Sequence, residues 1–421
     1  MSSTRERALA LSSLSVYRGV MRRTVVSSLH RLLQSSLEDD AFSFVSAWSD
    51  YFMALAKKGM TSNVGACIGD AALYDENVLS RSAVRGKLDD LPPEVVEAAS
   101  RDLDVLMDAA ATSPEDLLAD FCSHSMLESA VANSLPRWKF GQLPSTLSQA
   151  GTQRLQSVIE FHRRHGCGIY ARYRAFVWRQ CKLEPIPYPD PVRLSDLKGY
   201  ETPRQMVLDN TLAFLDNLPA NNILLHGDRG TGKSSTVKAI LNQLYPQGLR
   251  MIECPRESLS DFPRLTQLIA PVPLKFIIFI DDLSFNENDS TYAALKAVLE
   301  GGLAARPANT LIYATSNRRH LIRETFQSRE GDELHLADTL QETLSLSDRF
   351  GLSITFSSPD KRQYLDIIHA LAADRSLDVD PAELNLHAER WALERGGRSP
   401  RAARQFIAMA ESRLKRGLPL D

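Results

Sequence analysis

The most constraining feature of the sequence is a glycine-rich loop between an apolar run and an amphipathic stretch. Residues 227–234 have the sequence GDRGTGKS, which fits the pattern GxxxxGK[ST], and they follow the apolar run NNILLHG at 221–227. Glycines let backbone N–H groups turn toward an anion, and the N-terminus of a following helix adds a partial positive charge. The pattern therefore predicts a buried strand, a phosphate-binding loop and a helix, in that order.

Two side chains of this loop carry the expected chemistry. Lys233 is expected to reach the β- and γ-phosphates of ATP, and the Ser234 hydroxyl is expected to bind Mg²⁺. A chance glycine-rich turn would not require a strand before it and a helix after it, and the sequence indicates both. The residues predicted to contact the nucleotide are Gly227, Asp228, Arg229, Gly230, Thr231, Gly232, Lys233, Ser234 and Ser235.

A second apolar run ends in two adjacent carboxylates. Residues 275–280 are KFIIFI, and Asp281 and Asp282 follow them directly. Downstream of a phosphate loop, the first carboxylate is expected to hold Mg²⁺, and the second to act as the general base toward the attacking water. The alternative is that two acidic residues merely end a strand.

The hydrophobic pattern divides the chain into three regions and a linker. Residues 1–185 place apolar residues three and four apart without strand-like runs, which predicts an all-helical N-terminal domain. Residues 186–192, IPYPDPV, contain three prolines and are predicted to be a linker. From 193 to 358, short apolar runs alternate with amphipathic stretches, which predicts an α/β core with a five-stranded parallel sheet covered on both faces. Residues 359–421 are predicted to be helical.

The elements of the last two regions can be bounded. The predicted strands lie at 221–227, 249–255, 275–282, 309–317 and 352–358. The predicted C-terminal helices lie at 360–373, 381–395 and 400–415.

Composition restricts the cellular setting. The formal net charge is −3, so any nucleic-acid-binding surface has to be local. The five cysteines are scattered without a CxxC pair, which favours reduced thiols over disulfides or a zinc site. Since no apolar stretch has the character of a signal peptide or a membrane span, we expect a cytoplasmic protein without a membrane partner.

With these motifs in this order, residues 193–416 resemble the AAA+ ATPases. The segment LSDLKGYE at 194–201 is similar to the stretch that lies against adenine in that family, which implies Gly199 and Tyr200 as nucleotide contacts. Asn317, at the end of YATSN, matches the polar sensor-1 residue of the fourth strand. Thr315 and Ser316 are alternatives for that role. The resemblance implies a five-stranded parallel αβα core with a helical lid at 359–421.

Two arginines match further motifs of the same family. SDRFG at 347–351 resembles the arginine-finger box, which implies that Arg349 acts on the γ-phosphate of a neighbouring subunit. GRSPR at 397–401 resembles the sensor-2 motif, with Arg401 at the arginine position. Arg349 could instead cap a turn or pair with Asp348. Arg398 and Arg404 flank Arg401, and a solvated basic helix face would explain all three.

The chain more narrowly resembles an uncharacterised bacterial AAA+ family catalogued as a domain of unknown function (number eight-fifteen). The stretches that carry this resemblance are PANNILLHGDRGTGKSS, FIDDLSF, LIYATSNRRHLI, SLSDRFGL and GGRSPRAARQF. Many AAA+ ATPases have Glu where this chain has Asp282. Paired aspartates also occur in the replication-initiator branch, which hydrolyses ATP slowly, so the resemblance implies a slow ATPase with Asp282, Asn317 and Arg349 as catalytic residues.

The resemblance also implies partners. A finger acting between subunits implies a homo-oligomer, a ring or open spiral, with six subunits as the family's usual number. We expect the helical N-terminal domain to bind a protein client in an ATP-driven remodeller or switch. Phe262 is a poor match to an aromatic pore loop, which counts against threading of a polypeptide.

Three other functions compete. Residues 154–182 interleave arginines with aromatic side chains, which is typical of a nucleic-acid surface in an initiator or helicase loader and also of a helix packed into its own domain. The cationic residues 318–320 have the same ambiguity. An ATP-dependent scaffold would bind nucleotide and scarcely hydrolyse it. A metabolic kinase would need neither a finger nor a lid arginine.

Overall fold

The structure is a computed structural model that describes residues 3–283, 295–296, 299, 307–317 and 349–420. The chain divides into two compact units, Met1–Arg172 and Tyr173–Asp421. The division falls earlier than the boundary expected at 185, because residues 175–185 form strands of the second unit's sheet.

The first unit is helical. Its core contains a cluster of large aromatic side chains in which Phe44 stacks on Phe121 at 4.2 Å between ring centroids and Trp48 lies 4.7 Å from Trp138. Its helices are α1 (Thr4–Ser12), α2 (Thr24–Ser35), α3 (Ala41–Ala56), α4 (Val64–Leu73), α5 (Val78–Arg85), α6 (Pro93–Ala110), α7 (Pro114–Cys122), α8 (Ser129–Ser134), α9 (Gly151–His165) and α10 (Gly168–Arg172).

The second unit is built on a mixed, mostly parallel sheet of seven described strands in the order β2-β1-β4-β5-β6-β3-β7. Each neighbouring pair is parallel except the hairpin formed by β1 and β2. The strands are β1 (Ala175–Arg179), β2 (Lys182–Pro185), β3 (Ile223–Gly227), β4 (Leu249–Glu253), β5 (Lys275–Ile280), β6 (Thr310–Ser316) and β7 (Leu352–Phe356).

The sheet corrects one expectation. Each of the five predicted strands is present, but the β1–β2 hairpin extends the sheet beyond β4. Residues 175–178 of this hairpin are buried, as a strand covered on both faces requires. The prediction of helix up to 185 was wrong because the apolar run is only four residues long and lies between Arg174 and Arg179.

Core helices flank the sheet, and the lid helices lie at its carboxyl edge, where α16 contacts the phosphate loop. The core helices are α11 (Glu201–Leu215), α12 (Lys233–Leu244) and α13 (Phe262–Ile269), and the lid helices are α14 (Lys361–Asp374), α15 (Pro381–Glu394) and α16 (Pro400–Lys415).

The lid helices begin where the sequence predicts. The side chains of Asp360, Asp380 and Ser399 each accept a hydrogen bond from a backbone N–H of the first turn. Their core is a small apolar cluster that includes Tyr364, Ile368 and Phe406. In the part of the chain that the structure describes, no helix combines the length and apolar character needed to cross a membrane.

Candidate nucleotide-binding site

The phosphate loop follows β3 and leads into α12, as the pattern predicts. Gly227 has φ 128°, and a Cβ atom there would lie 2.2 Å from the carbonyl oxygen of Phe356 in β7, so a larger residue would force the strands apart. Gly232 has φ 97° and caps the N-terminus of α12. The loop therefore has the conformation that presents backbone N–H groups at a helix N-terminus.

Lys233 lies across the inside of the loop. Its side chain is buried, and its Nζ donates to the carbonyl oxygens of Gly227 at 2.9 Å and Asp228 at 2.7 Å and to Oδ1 of Asn317 at 3.2 Å. Burial lowers the pKa of Lys233, and the nearby aspartates oppose that shift. The ammonium group thus connects the loop with the end of β6.

The two residues predicted to hold Mg²⁺ are in direct contact. The Ser234 hydroxyl donates to Oδ1 of Asp281 at 2.6 Å. Asp281 follows β5, which is separated from β3 in the sheet only by β6. Because these strands are parallel, their carboxyl ends meet at one edge and bring the loop and the aspartate together.

Asp282 adopts a left-handed backbone conformation with φ 51°. Such a conformation costs on the order of 1 kcal/mol for a residue with a side chain, although Asp tolerates it better than most. Its N–H donates to Oγ1 of Thr315 at 2.9 Å and to Oδ1 of Asp281 at 3.2 Å. Its own Oδ1 accepts from Nδ2 of Asn317 at 2.6 Å. The two predicted catalytic residues are therefore hydrogen-bonded to each other.

Thr315 has a larger part in this network than the sequence indicates. Its buried hydroxyl donates to Oδ1 of Asp281 at 2.5 Å while accepting from the N–H of Asp282. Thr315 was an alternative to Asn317 for a single polar position at the end of β6. Both residues lie in the site, with Asn317 contacting Lys233 and Asp282.

The lid contributes arginines to the phosphate cavity. The backbone N–H of Arg401 donates to the carbonyl oxygen of Gly230 at 3.1 Å. Arg401 and Arg404 line the cavity, whereas Arg398 forms a bidentate ion pair with Glu389 at 2.9 and 2.7 Å. The cavity has a volume of about 410 Å³ and is lined by Arg229, Gly230, Gly232, Lys233, Ser234, Ser235, Asp281, Asp282, Thr315, Asn317, Arg401 and Arg404.

A small apolar pocket adjoins this cavity at Gly232 and Arg404. Gly199 and Tyr200 line it, together with Phe356 and other residues of the loop and lid. The ring of Tyr200 stacks on Phe356 at 5.4 Å, and its hydroxyl donates to the carbonyl oxygen of Ser357 at 2.5 Å. Burial raises the pKa of Tyr200 to about 12, so the hydroxyl stays protonated at neutral pH.

Within its own chain, Arg349 lies far from the other predicted site residues. It precedes β7, whose residues Leu352 and Phe356 lie beside Ile223 and Gly227 of β3. Five strand residues at about 3.3 Å each span roughly 16 Å, so Arg349 lies at the amino edge of the sheet and the phosphate loop at the carboxyl edge. Asp348 and the cationic residues 318–320 fall outside the described residues.

These features define the class of the protein. A phosphate loop, paired aspartates and a polar strand end meet at one edge of a mostly parallel sheet, and a helical lid contacts the loop, which is the arrangement of an AAA+ ATPase. The family model described as "Protein of unknown function (DUF815)" matches residues 171–414, and the chain belongs to that family. The resemblance indicated by the motifs is thereby confirmed.

Solved structures of RuvB from Thermotoga maritima are similar to part of the chain. One, titled a Holliday junction branch migration motor, is 17% identical with a TM-score of 0.36, covering 54% of this chain and 66% of that one. A point mutant of the same RuvB is 16% identical with a TM-score of 0.37, and the shares covered are 54% and 67%. A likeness at this level carries no information about substrate or partner. No curated protein matches the sequence.

Proposed function

We propose that the protein binds ATP with Mg²⁺, hydrolyses it slowly, and works as an assembly-dependent switch or remodeller of a protein client. The strongest support is a continuous hydrogen-bond chain among residues from the ends of β5 and β6 and the first turn of α12. Its members, in order, are Ser234, Asp281, Thr315, Asp282, Asn317 and Lys233. Such preorganisation around one cavity is what electrostatic stabilisation of phosphoryl transfer requires.

Lys233 is the proposed ligand of the β- and γ-phosphates. Its ammonium group donates to two loop carbonyls and to Asn317, and phosphate oxygens are stronger acceptors because they are charged. Arg229, Arg401 and Arg404 line the same cavity and add positive charge toward a polyanion. The adjoining apolar pocket at Gly199 and Tyr200 is the proposed place for the base, and because its volume is only about 20 Å³ it has to widen to admit a purine.

Ser234 and Asp281 are the proposed Mg²⁺ ligands. Hydroxyl and carboxylate oxygens are the hard donors that Mg²⁺ prefers, so the residues fit the ion. When bound, Mg²⁺ would neutralise part of the phosphate charge. Thr315 keeps the carboxylate of Asp281 oriented, since its hydroxyl donates to the same oxygen that Ser234 contacts.

Asp282 is the proposed general base, and its surroundings support slow turnover. The carboxylate is one methylene shorter than that of Glu, and it is held by the amide of Asn317. It has to exchange this partner for a water molecule within roughly 2.6–3.2 Å. Because two hydrogen bonds fix the backbone N–H of Asp282, only the side chain is left to make that adjustment.

The position of Arg349 supports a homo-oligomer, as a ring or spiral. The residue lies at the opposite edge of the sheet from the phosphate loop, so its side chain would reach a γ-phosphate only in a neighbouring subunit. An arginine supplied in this way contributes about 10³–10⁵ in rate in other nucleoside triphosphatases.

A protein client is favoured over nucleic acid by how the arginines of 154–182 are used. Arg154 is buried in an ion pair with Asp104, and Arg164 pairs with Glu160 at 2.6 Å. Arg172 lies over the ring of Tyr74 at 5.9 Å. These contacts support the interpretation of a packed amphipathic segment.

The test is phosphate release by the full chain over a series of protein concentrations, with molecular mass recorded in ATP and Lys233→Ala as the blank. We expect specific activity to rise with concentration alongside a high-mass species. Turnover equal to the blank with ATP still bound would favour the scaffold. Failure of the wild type to bind ATP would overturn the proposal altogether.

A further inference from the structure

Asp228 is an anionic residue inside a loop that is predicted to bind anions. It occupies the second position of the phosphate loop, where its negative charge would repel phosphates. Its Oδ2 instead accepts a hydrogen bond from the backbone N–H of Ser358 at 2.6 Å. A hydrogen bond to a carboxylate is among the stronger ones in proteins, so this contact fixes Ser358 firmly.

Ser358 belongs to the segment that connects the sheet with the lid. β7 ends at Phe356, and Asp360 caps α14, the first lid helix. We call residues 357–359 the hinge segment. Any change in the direction of the lid relative to the sheet has to pass through the backbone of these residues.

The nucleotide-binding region contacts the hinge segment and its surroundings at three points. Besides the bond from Ser358 to Asp228, the Tyr200 hydroxyl donates to the carbonyl oxygen of Ser357 at 2.5 Å, and the N–H of Asp228 donates to the carbonyl oxygen of Phe356 at 2.9 Å. The first of these connects the hinge segment directly to the phosphate loop, and the last connects the loop to the end of β7, one residue before the hinge segment.

The same loop also contacts the lid's last helix. The carbonyl oxygen of Gly230 accepts from the N–H of Arg401 in the first turn of α16, and a Cβ atom on Gly230 would lie 3.2 Å from the Cβ of Arg401. Two residues of one loop therefore contact both ends of the lid's connection: Asp228 contacts the segment that leads into α14, and Gly230 contacts the first turn of α16.

We propose that Asp228 is a positioning residue that couples the phosphate loop to the lid through the hinge segment. The inference rests on the proposed function, because the ligand that the loop would respond to is a nucleoside triphosphate. Ordering of the loop around phosphates fixes the carboxylate of Asp228, the carboxylate fixes Ser358, and the lid is held over the cavity. Asp228 was predicted to contact the nucleotide, but it is not among the described residues that line the phosphate cavity, so the proposal assigns its side chain to the hinge segment and not to the nucleotide.

Two substitutions separate the hydrogen-bond acceptor of the Asp228 side chain from its negative charge. Asp228→Ala removes both the acceptor and the charge, whereas Asp228→Asn keeps an acceptor oxygen for Ser358 and removes the charge. Tyr200→Phe removes the bond to Ser357 on the other side of the hinge segment. Asp216→Ala is a matched control, because it removes an exposed carboxylate at the end of α11 in the same unit.

The experiment is amide hydrogen exchange of the full chain over 361–374 and 400–415, with and without the slowly hydrolysed analogue ATPγS. ATP affinity is measured in parallel by fluorescence titration. We expect the analogue to slow exchange in the lid of the wild type by about tenfold or more, the range that local opening equilibria cover. Asp228→Ala should bind ATP yet lose most of this protection, and Asp228→Asn should keep an intermediate level.

Three outcomes would overturn the inference. The first is full nucleotide-dependent protection of the lid in Asp228→Ala. The second is loss of ATP binding in that variant, which would make Asp228 a binding residue. The third is an equal loss of protection in Asp216→Ala. Failure of the wild type to bind ATP would refute the proposed function, and the nucleotide-free comparison would still test the hinge contact, since Asp228→Ala should exchange faster at 361–374.

Discussion

The two edges of the central sheet differ in how many of the predicted functional residues they hold. At the carboxyl edge, one chain brings together a phosphate loop, two aspartates and two polar residues at the end of β6 within a single hydrogen-bond network. At the amino edge lies Arg349, roughly a strand's length away. Under the proposed function, the residues for ATP binding come from a single chain, whereas the proposed catalytic set requires a second subunit.

The largest expected effect comes from removing the residue at the amino edge. Arg349→Ala should lower kcat by about 10³-fold or more and leave ATP affinity within about threefold, because an arginine finger stabilises charge mainly in the transition state. Steady-state phosphate release and equilibrium ATP binding would check this. Arg362→Ala, an exposed arginine at the start of α14, is the control.

Mixing variants sharpens the same comparison. Subunits with Arg349→Ala keep the carboxyl-edge site, and subunits with Lys233→Ala keep the finger. A mixture should regain activity that neither variant has alone. If the mixture stays inactive while mixed oligomers form, or if Arg349→Ala retains wild-type turnover, the two edges do not cooperate between subunits.

A smaller effect is expected within the carboxyl edge. Thr315→Val keeps the shape of the side chain and removes its bonds to Asp281 and Asp282. Loss of about 1.4 kcal/mol of transition-state stabilisation would lower kcat about tenfold, with ATP affinity little changed. Thr310→Val makes the same chemical change at the amino end of β6 and is the matched control. Equal effects of the two variants would mean that Thr315 serves only the stability of the strand.

The smallest expected effect concerns Arg398, the lid arginine that pairs with Glu389 and does not line the phosphate cavity. Hydrogen bonds from Arg398 lower the pKa of Glu389, so the pair stabilises the fold above the unfolded-state pKa of Glu, about 4.3. This stabilisation is lost as pH falls through the lower folded-state pKa. Arg398→Ala should therefore reduce Tm modestly at pH 7, with the difference from wild type vanishing in acid.

The same variant tests how the lid arginines divide their roles. ATP affinity should be unchanged in Arg398→Ala and reduced in Arg401→Ala, because Arg401 lines the phosphate cavity and Arg398 is bound to Glu389. The opposite pattern in a binding titration would assign Arg398 to the nucleotide. Arg390→Ala, exposed on α15, controls for loss of positive charge in the lid.

Much of the fold could be predicted because local signals agreed with the tertiary structure. The phosphate loop, the five predicted strands and the lid helices all have flanking residues of the expected type, such as Ser399 and Pro400 at the start of α16. The β1–β2 hairpin gave no such signal. Its turn places Gln180 and Cys181 at φ 49° and 56°, where Asn and Gly are usual, so the sequence does not mark it.

The sequence named most of the residues that meet at the carboxyl edge of the sheet, but it did not show how they are connected. The left-handed backbone of Asp282 depends on Thr315, and their contact exists only because β5 pairs with β6 in one register. Likewise, nothing local to Asp228 indicates that its partner is Ser358, 130 residues further along the chain. Contacts between residues far apart in the chain decide both features, and no local pattern in the sequence indicates those contacts.

The β1–β2 hairpin, which the sequence analysis did not predict, also limits how copies of the chain can associate. β2 is an edge strand of only four residues, it carries Lys182 and Glu184, and it ends in Pro185, which has no N–H to donate. Short, charged, proline-ended strands resist pairing with a further strand. In the proposed oligomer, neighbouring subunits would therefore not pair their sheets through this edge, and assembly would depend on side-chain surfaces such as the one that carries Arg349.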